Sequence, residues 1–304
     1  MSTDLVIETR ELSKRYGDAS VVCDLNLKVQ RGQITGFLGR NGAGKSTTIK
    51  MLLGIAFPSS GSGTVLGRAI QNAKQSRHMR AEVAYVAEDK QLYSYMTVEQ
   101  LIRFTRSFYR DWRTDTEQRL LRQFELPKQR KVKVLSKGMR TKLALLLALA
   151  RRPQLLILDE PSEGLDPVGI EEFLSELVAA ASEGITVFFS SHQIAEVERI
   201  ADQACIIDRG ELRVSVSMDD LRQDYRRVTV GFTGDPPRGA FRLPGISHIS
   251  TAGRQTVFLA QGNADAVVEK AHALCAASVD VDCVSLRELF LHTVTAKENS
   301  DALV

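Results

Sequence analysis

The stretch Gly39-Arg40-Asn41-Gly42-Ala43-Gly44-Lys45-Ser46 constrains this chain more than any other. It fits G-x-x-x-x-G-K-[ST] in full, and its flanks give it meaning. Gln33–Leu38 before it reads as a strand, and Lys45–Leu53 after it reads as a helix closed by Gly54. Strand, glycine loop and helix in that order make a phosphate-binding loop. The glycines let backbone amides converge on phosphate, and the helix start adds a favourable dipole. Gly39, Asn41, Gly42, Ala43, Gly44 and Thr47 are therefore candidate nucleotide contacts. Lys45 is expected to reach the β- and γ-phosphates, and Ser46 to ligate Mg²⁺.

A second motif follows far downstream. Leu155-Leu156-Ile157-Leu158 is a continuous apolar run, suited to a strand buried on both faces, and it ends in Asp159-Glu160. An apolar strand ending in acids is common. Beside a phosphate loop, Asp159 is expected to hold Mg²⁺ largely through water, and Glu160 to polarise the attacking water.

The remaining pattern alternates strands and helices. Leu5–Thr9, Val21–Val29, Val83–Val86, Ile185–Phe189 and the hairpin Ala204–Asp208 with Leu212–Val216 read as strands. Glu171–Ala181 and Gln193–Ala201 read as helices. Thr97-Val98-Glu99-Gln100 fits a capping box, and Val98, Leu101, Ile102, Phe108, Tyr109 and Trp112 continue at helical spacing. Such alternation around a phosphate loop predicts an α/β nucleotide-binding fold. Beyond about residue 217 the texture changes. Strands at Arg227–Phe232, Gln255–Ala260 and Val279–Val284, helices at Ala264–Ala277 and after Ser285-Leu286-Arg287-Glu288, and a frayed tail from Lys297 suggest a small α+β appendage.

Composition sets limits. The chain has 304 residues, 43% hydrophobic, enough for one large domain with a sizeable core and a smaller one. A net charge of +3 is too small to imply a nucleic-acid partner by itself. Cys23, Cys205, Cys275 and Cys283 form no C-x-x-C pair and no zinc spacing with histidine, so reduced, buried thiols of a cytosolic protein are expected. No signal sequence is expected, since Met1-Ser2-Thr3-Asp4 lacks a basic start and a following apolar stretch. The longest apolar run, Leu143–Ala150, is far short of the roughly 20 residues that cross a bilayer. Action at a membrane would need a partner.

Between the two motifs lies Leu135-Ser136-Lys137-Gly138-Met139, the start of another helix. The order of these elements resembles the ATP-binding subunit of an ABC transporter, whose signature is most often Leu-Ser-Gly-Gly-Gln. Here the Leu, Ser and second Gly stand, and Lys137 and Met139 depart. Tyr16 matches the aromatic that stacks on adenine, Ser162-Glu163-Gly164-Leu165-Asp166 the D-loop that crosses to the other subunit, and His192 the switch histidine. Glu88 stands where the family places its Q-loop glutamine, and the roles of Mg²⁺ contact and permease sensing are carried to it. The resemblance covers about residues 4–215. Ser-Lys-Gly-Met with Glu88, and Phe108-Tyr109-Arg110-Asp111-Trp112, look like ATPase subunits of two-component exporters.

The resemblance implies a P-loop NTPase of the ABC type: a RecA-like core sheet, an antiparallel β-subdomain and a helical subdomain at about 89–150. The ATP-binding domain would take 1–216, with 217–304 a regulatory or dimerisation appendage. It implies an ATPase using ATP and Mg²⁺ in a head-to-tail homodimer, where Ser136, Gly138 and Asp166 serve the neighbour's nucleotide. A separate integral membrane permease would hold it at the cytoplasmic face of the cell membrane. Tyr93, Tyr95, Phe104, Phe108, Tyr109 and Trp112 mix subdomain core with an exposed minority that would receive the permease.

Two rival readings are weaker. A non-transport ABC ATPase acting on DNA or ribosomes would carry coiled coils or a second cassette; the interval from Lys45 to Asp159 holds no sustained heptads, and no internal repeat is visible. No direct nucleic-acid contact is expected, although Lys128, Arg130, Lys131, Lys133, Lys137, Arg140 and Lys142 cluster. A nucleotide-sensing regulatory subunit without turnover has little reason to keep Lys45, Asp159, Glu160 and His192 together.

Overall fold

The computed structural model describes residues 4–237, 240–241 and 243–295. The chain divides into two compact units, Met1–Ser215 and Val216–Val304.

The first unit opens with β1 (Leu5–Tyr16), β2 (Ala19–Leu25) and β3 (Lys28–Gln30). β1 runs well beyond the expected Thr9. Its register shifts in mid-strand, where Glu11 takes φ 49°, so strict alternation is lost. The buried strand β4 (Ile34–Leu38) feeds the glycine loop and α1 (Lys45–Leu52). Next come β5 (Ser60–Val65), β6 (Arg68–Ala69), α2 (Ala73–Glu82) and β7 (Val83–Val86). The sequence reading assigns nothing to 55–82. β5, Ser-Gly-Ser-Gly-Thr-Val, has no apolar period, and its place comes from pairing with β1, Ile7 opposite Val65 and Thr9 opposite Gly63. Gly61 is required there, because a Cβ would lie 2.1 Å from the Glu11 carbonyl oxygen.

Three helices follow: α3 (Val98–Arg106), α4 (Thr114–Gln123) and α5 (Lys137–Leu149). The Thr97 capping box forms with both bonds, Gln100 N to Thr97 Oγ1 at 3.1 Å and Thr97 N to Gln100 Oε1 at 2.9 Å. The helical spacing read through Trp112 ends early. Ser107 Oγ donates to the Phe104 carbonyl, and the amides of Phe108 and Tyr109 pair three residues back, which tightens and stops the helix. The unit finishes with β8 (Leu155–Asp159), α6 (Pro167–Ser182), β9 (Thr186–Ser191), α7 (Ile194–Ile200), β10 (Gln203–Asp208) and β11 (Glu211–Ser217).

Two sheets result. One is antiparallel, in the order β2-β1-β5-β6 with β3 also on β1; the other runs β11-β10-β4-β9-β8-β7, with parallel pairing from β10 through β7. α1 lies between them. Its Ile49, Met51 and Leu52 share one core with Val22, Val29 and Val65 of the first sheet and Phe37, Ile157 and Phe188 of the second. Burial of such side chains contributes about 1.5–3 kcal/mol each.

The second unit holds α8 (Met218–Asp224), β12 (Tyr225–Gly231), β13 (Ile246–Ala252), β14 (Gln255–Gln261), α9 (Ala264–Ala273), β15 (Ser278–Cys283) and α10 (Leu286–Thr295). Its antiparallel sheet runs β13-β14-β12-β15 over a core of Val228, Val230, Phe258 and Val267. α9 stops short of the expected Ala277. Cys275 turns left-handed at φ 55°, and the Ala276 amide bonds back to the Ala271 carbonyl. The Ser285–Glu288 capping box forms. Arg238, Gly239 and the tail 297–304 lie outside the described residues. All four cysteines are free, but only Cys205 is buried, its thiol pushed up to about 11 by desolvation; Cys275 and Cys283 are exposed at a helix end and on an edge strand.

One contact makes the packing testable. A Cβ on Gly36 of β4 would fall 2.3 Å from Val197 Cγ1 of α7. We predict that Gly36→Ala destabilises the protein by about 1–3 kcal/mol, read as a lower melting temperature. Adding Val197→Ala should recover part of the loss.

Candidate functional site

A cavity of about 520 Å³ opens at the carboxyl ends of the parallel strands, where ligands of open α/β sheets bind. Each neighbouring strand delivers one part. The glycine loop leaves β4, Glu88 follows β7, Glu160 follows β8 and His192 follows β9. The strand order β4-β9-β8-β7 therefore gathers residues more than 150 positions apart. The wall consists of Asn41, Gly42, Gly44, Lys45, Ser46, Thr47, Glu88, Glu160 and His192, with Val21, Arg40 and Glu163.

The glycine loop is shaped by its surroundings. Gly42 and Gly44 take φ +80° and +107°. A Cβ on Gly44 would meet the Val21 carbonyl oxygen at 2.8 Å, and one on Gly39 the Ile207 carbonyl oxygen at 2.6 Å. Only glycine fits both places. α1 has no side-chain cap on its first amides, which suits it to an anion.

The charges form one connected group. The Lys45 ammonium, 6% exposed, donates to the Gly39 carbonyl at 2.7 Å and lies 3.0 Å from Glu160 Oε1. Glu160 Oε2 lies 2.7 Å from His192 Nδ1 and accepts the His192 amide at 3.2 Å. Glu160 itself adopts φ 45°, a left-handed conformation costly for a residue with a side chain. Its amide is held by Ser190 Oγ at 3.0 Å, and that hydroxyl donates to Asp159 Oδ1 at 2.7 Å. One serine thus fixes both acids.

Other expected residues sit apart from this wall. Asp159 is buried beneath Ser190. Gly39 and Ala43 are behind the loop's face, Gly39 through the carbonyl that holds Lys45. Tyr16 is about half exposed, with Lys14 Nζ 4.9 Å over its ring. Ser136 caps α5 by accepting the Met139 amide at 3.1 Å, and Asp166 caps α6 by accepting the Gly169 amide at 2.6 Å. The close approach that Gly138 allows is to its own chain: a Cβ there would lie 3.0 Å from the Gly164 carbonyl oxygen.

The family described as ABC transporter matches residues 22–163. The bacitracin transport ATP-binding protein BcrA of Enterococcus faecalis is 37% identical over 75% of this chain and 75% of its own length. The ABC transporter ATP-binding protein YtrB of Bacillus subtilis is 30% identical, over 76% of this chain and 78% of its own length. The chain belongs to the ABC transporter ATP-binding family. A solved ATP-binding subunit of an ABC transporter superposes with a TM-score of 0.65 at 32% identity, covering 72% of this chain and 92% of that one. As a member of this family the chain is an ATPase that uses ATP, with the fold of its P-loop cassettes.

Two residues of this ABC cassette escape the sequence reading, Val21 and Glu196. Val21 comes from β2 and carries no motif of its own, whereas Glu163, expected only as part of the D-loop, lines its own chain's cavity from the loop after β8. Glu196, on α7, is buried against Ser191, whose Oγ donates to its Oε2 at 3.0 Å. Desolvation raises its pKa, opposed by the Ser162 and Ser191 hydroxyls. Glu-Val-Glu in α7 gives no hint of which acid turns inward. Tyr85, on β7, is pushed up to about 12 by burial, then by Asp159 and Glu88.

Because the Glu196 carboxyl titrates higher when folded, it costs stability as pH rises from the ordinary glutamate value of about 4.3 toward its folded value. Glu196→Gln keeps an acceptor for Ser191 and removes that cost. We predict that thermal melts of this variant lack the part of the wild-type decline over that interval, and that the gain persists at neutral pH.

Proposed function

We propose that this cassette powers export through a separate membrane permease, as a head-to-tail homodimer with two ATP molecules at its interface. The observation that carries the reading is the Glu160 carboxylate between Lys45 and His192 on the cavity wall. A phosphate-bearing substrate takes over the Lys45 ammonium, which it neutralises better than one carboxylate does. Glu160 is then released toward water, still oriented by His192 and by the Ser190 hydroxyl at its amide. Tyr16 offers an open aromatic face for adenine.

The metal donors agree with Mg²⁺. Ser46 and Glu88 bring oxygen atoms to the cavity, and Asp159 lies beneath it. All are hard ligands, too few for a closed protein cage, which suits an ion that keeps waters and phosphate oxygens. When bound, Mg²⁺ would offset charge on the β- and γ-phosphates. Glu88, in place of the glutamine, brings a formal negative charge to the same wall.

The dimer reading rests on α5. Ser136 and Gly138 start a helix away from the P-loop cavity, so they are free to close the γ-phosphate side of a neighbour's site and exclude water. The permease reading rests on three supports. No helix among the described residues is long and apolar enough to cross a membrane. The relatives are named for transport, bacitracin transport in one case. The third support is a row of aromatic side chains on the helical subdomain. Tyr95, Tyr93, Phe104 and Phe108, a majority of the six where a minority was expected, are exposed and touch in sequence, with ring centroids 6.0, 5.4 and 5.1 Å apart. Tyr109 and Trp112 are the inward members, under Arg151 and bonded to Glu117. The exposed row suits an apolar segment of the permease and would place the cassette at the cytoplasmic face of the membrane. Residues 217–304 serve regulation or dimer support in this scheme.

Glu160→Gln should slow steady-state hydrolysis at least about 10²-fold and trap an ATP-bound dimer with Mg²⁺. A monomeric mass by light scattering under those conditions would falsify the head-to-tail reading. Phe108→Asp should leave ATPase activity of the isolated protein within about twofold while reducing co-purification with a membrane partner. Undiminished co-purification would move the permease contact elsewhere.

A further inference from the structure

Lys137, which departs from the family signature, has a defined place. Its ammonium lies 2.7 Å from Glu163 Oε1, with both side chains roughly half exposed. Its aliphatic stem lies over Gly164. A Cβ on Gly164 would fall 2.6 Å from Lys137 Cδ and 2.7 Å from Cγ, and Gly164 itself takes φ +84°. Beneath, Gly138 meets the Gly164 carbonyl oxygen and Leu165. Two glycines thus let the loop and the helix start approach, and one lysine covers the contact with carbon and closes it with charge.

Glu163 sits where two cavities meet. It lines the P-loop cavity with Glu88, Glu160 and His192, and it lines a second cavity with Glu88, Asp89, Lys90, Lys137 and Arg140. Lys137, as hydrogen-bond donor, is the main cause that holds the Glu163 carboxyl below its ordinary range, with lesser help from Lys90 and His192. The loop has few other ties. The Glu163 amide reaches the Glu160 carbonyl at 3.4 Å and the Leu165 amide the Ser162 carbonyl at 3.0 Å.

We propose that Lys137 is a positioning residue that fastens the loop Glu163–Leu165 to the start of α5, so that the wall of one ATP site and the helix end offered to the partner's site move as one piece. The coupling between the two sites rests on the head-to-tail reading; the fastening does not. A glycine at 137, as the family usually has, has neither stem nor charge to make it.

The test separates the two. Hydrogen exchange of the monomer reads the fastening directly. Lys137→Met keeps the stem and loses the charge, and the Glu163 and Leu165 amides should exchange about threefold to fivefold faster, the worth of one half-exposed ion pair. Lys137→Gly should loosen them further. In the Glu160→Gln background, ATP-driven dimerisation should weaken by a similar factor in Lys137→Met and in Glu163→Gln, with no further loss in the double variant. The charge swap Lys137→Glu with Glu163→Lys should recover what each reversal alone loses, which a general packing defect would not. Unchanged loop exchange in Lys137→Met, or losses that simply add, overturn the proposal. If the Glu160→Gln parent stays monomeric, the head-to-tail reading fails and hydrogen exchange alone decides the fastening.

Discussion

The Glu160 carboxylate organises the cavity at the carboxyl ends of the parallel strands. It is buried, it is shared between the Lys45 ammonium and the His192 ring, and it hangs from a backbone held in a left-handed conformation. A buried lysine and a buried glutamate are each costly alone, because either charge would be stripped of water without compensation. Together they are tolerated, and the arrangement requires β4, β8 and β9 to lie side by side in register. The pairing of Phe37 with Ser190 and of Asp159 with Ser190 supplies that register.

The glycine loop depends on the same framework. Its backbone is wedged against carbonyls of Val21 and Ile207, so its curvature is set by strands outside the motif. α1 then carries the loop's far end into the core between the two sheets. Most parts of the site extend directly from packed strands or from α1. The helical subdomain differs in kind. It ends α3 early and turns four aromatics outward onto an exposed surface.

Much of this was legible from residue order. A complete phosphate-loop pattern between a strand and a helix has few other physical uses, and it gives meaning to an apolar strand ending in two acids, which alone is common. The capping boxes at Thr97 and Ser285 formed as read, since a side chain three residues from its partner amide needs no tertiary help. The failures among the elements have separate causes, one tertiary and two local. β5 has no apolar period and exists because β1 pairs with it. The helical spacing through Trp112 was interrupted by a local serine bond, and α9 by a left-handed Cys275. The thiols expected to be buried were so only at Cys205, because burial depends on which strand lies inside a sheet.

The amino-acid sequence by itself determined the reactive groups of this protein: a lysine in a glycine loop, two acids at the end of one buried strand, a histidine after another, and the family those residues define. Tertiary structure alone decided how they meet. It placed Glu160 rather than Asp159 on the cavity wall, brought Glu163 and Val21 to it, turned Glu196 inward, and directed Lys137 to its own chain's Glu163. Local pattern specifies what a residue can donate or accept. Which partner it finds depends on strand order and on the few places where glycine lets two backbones touch.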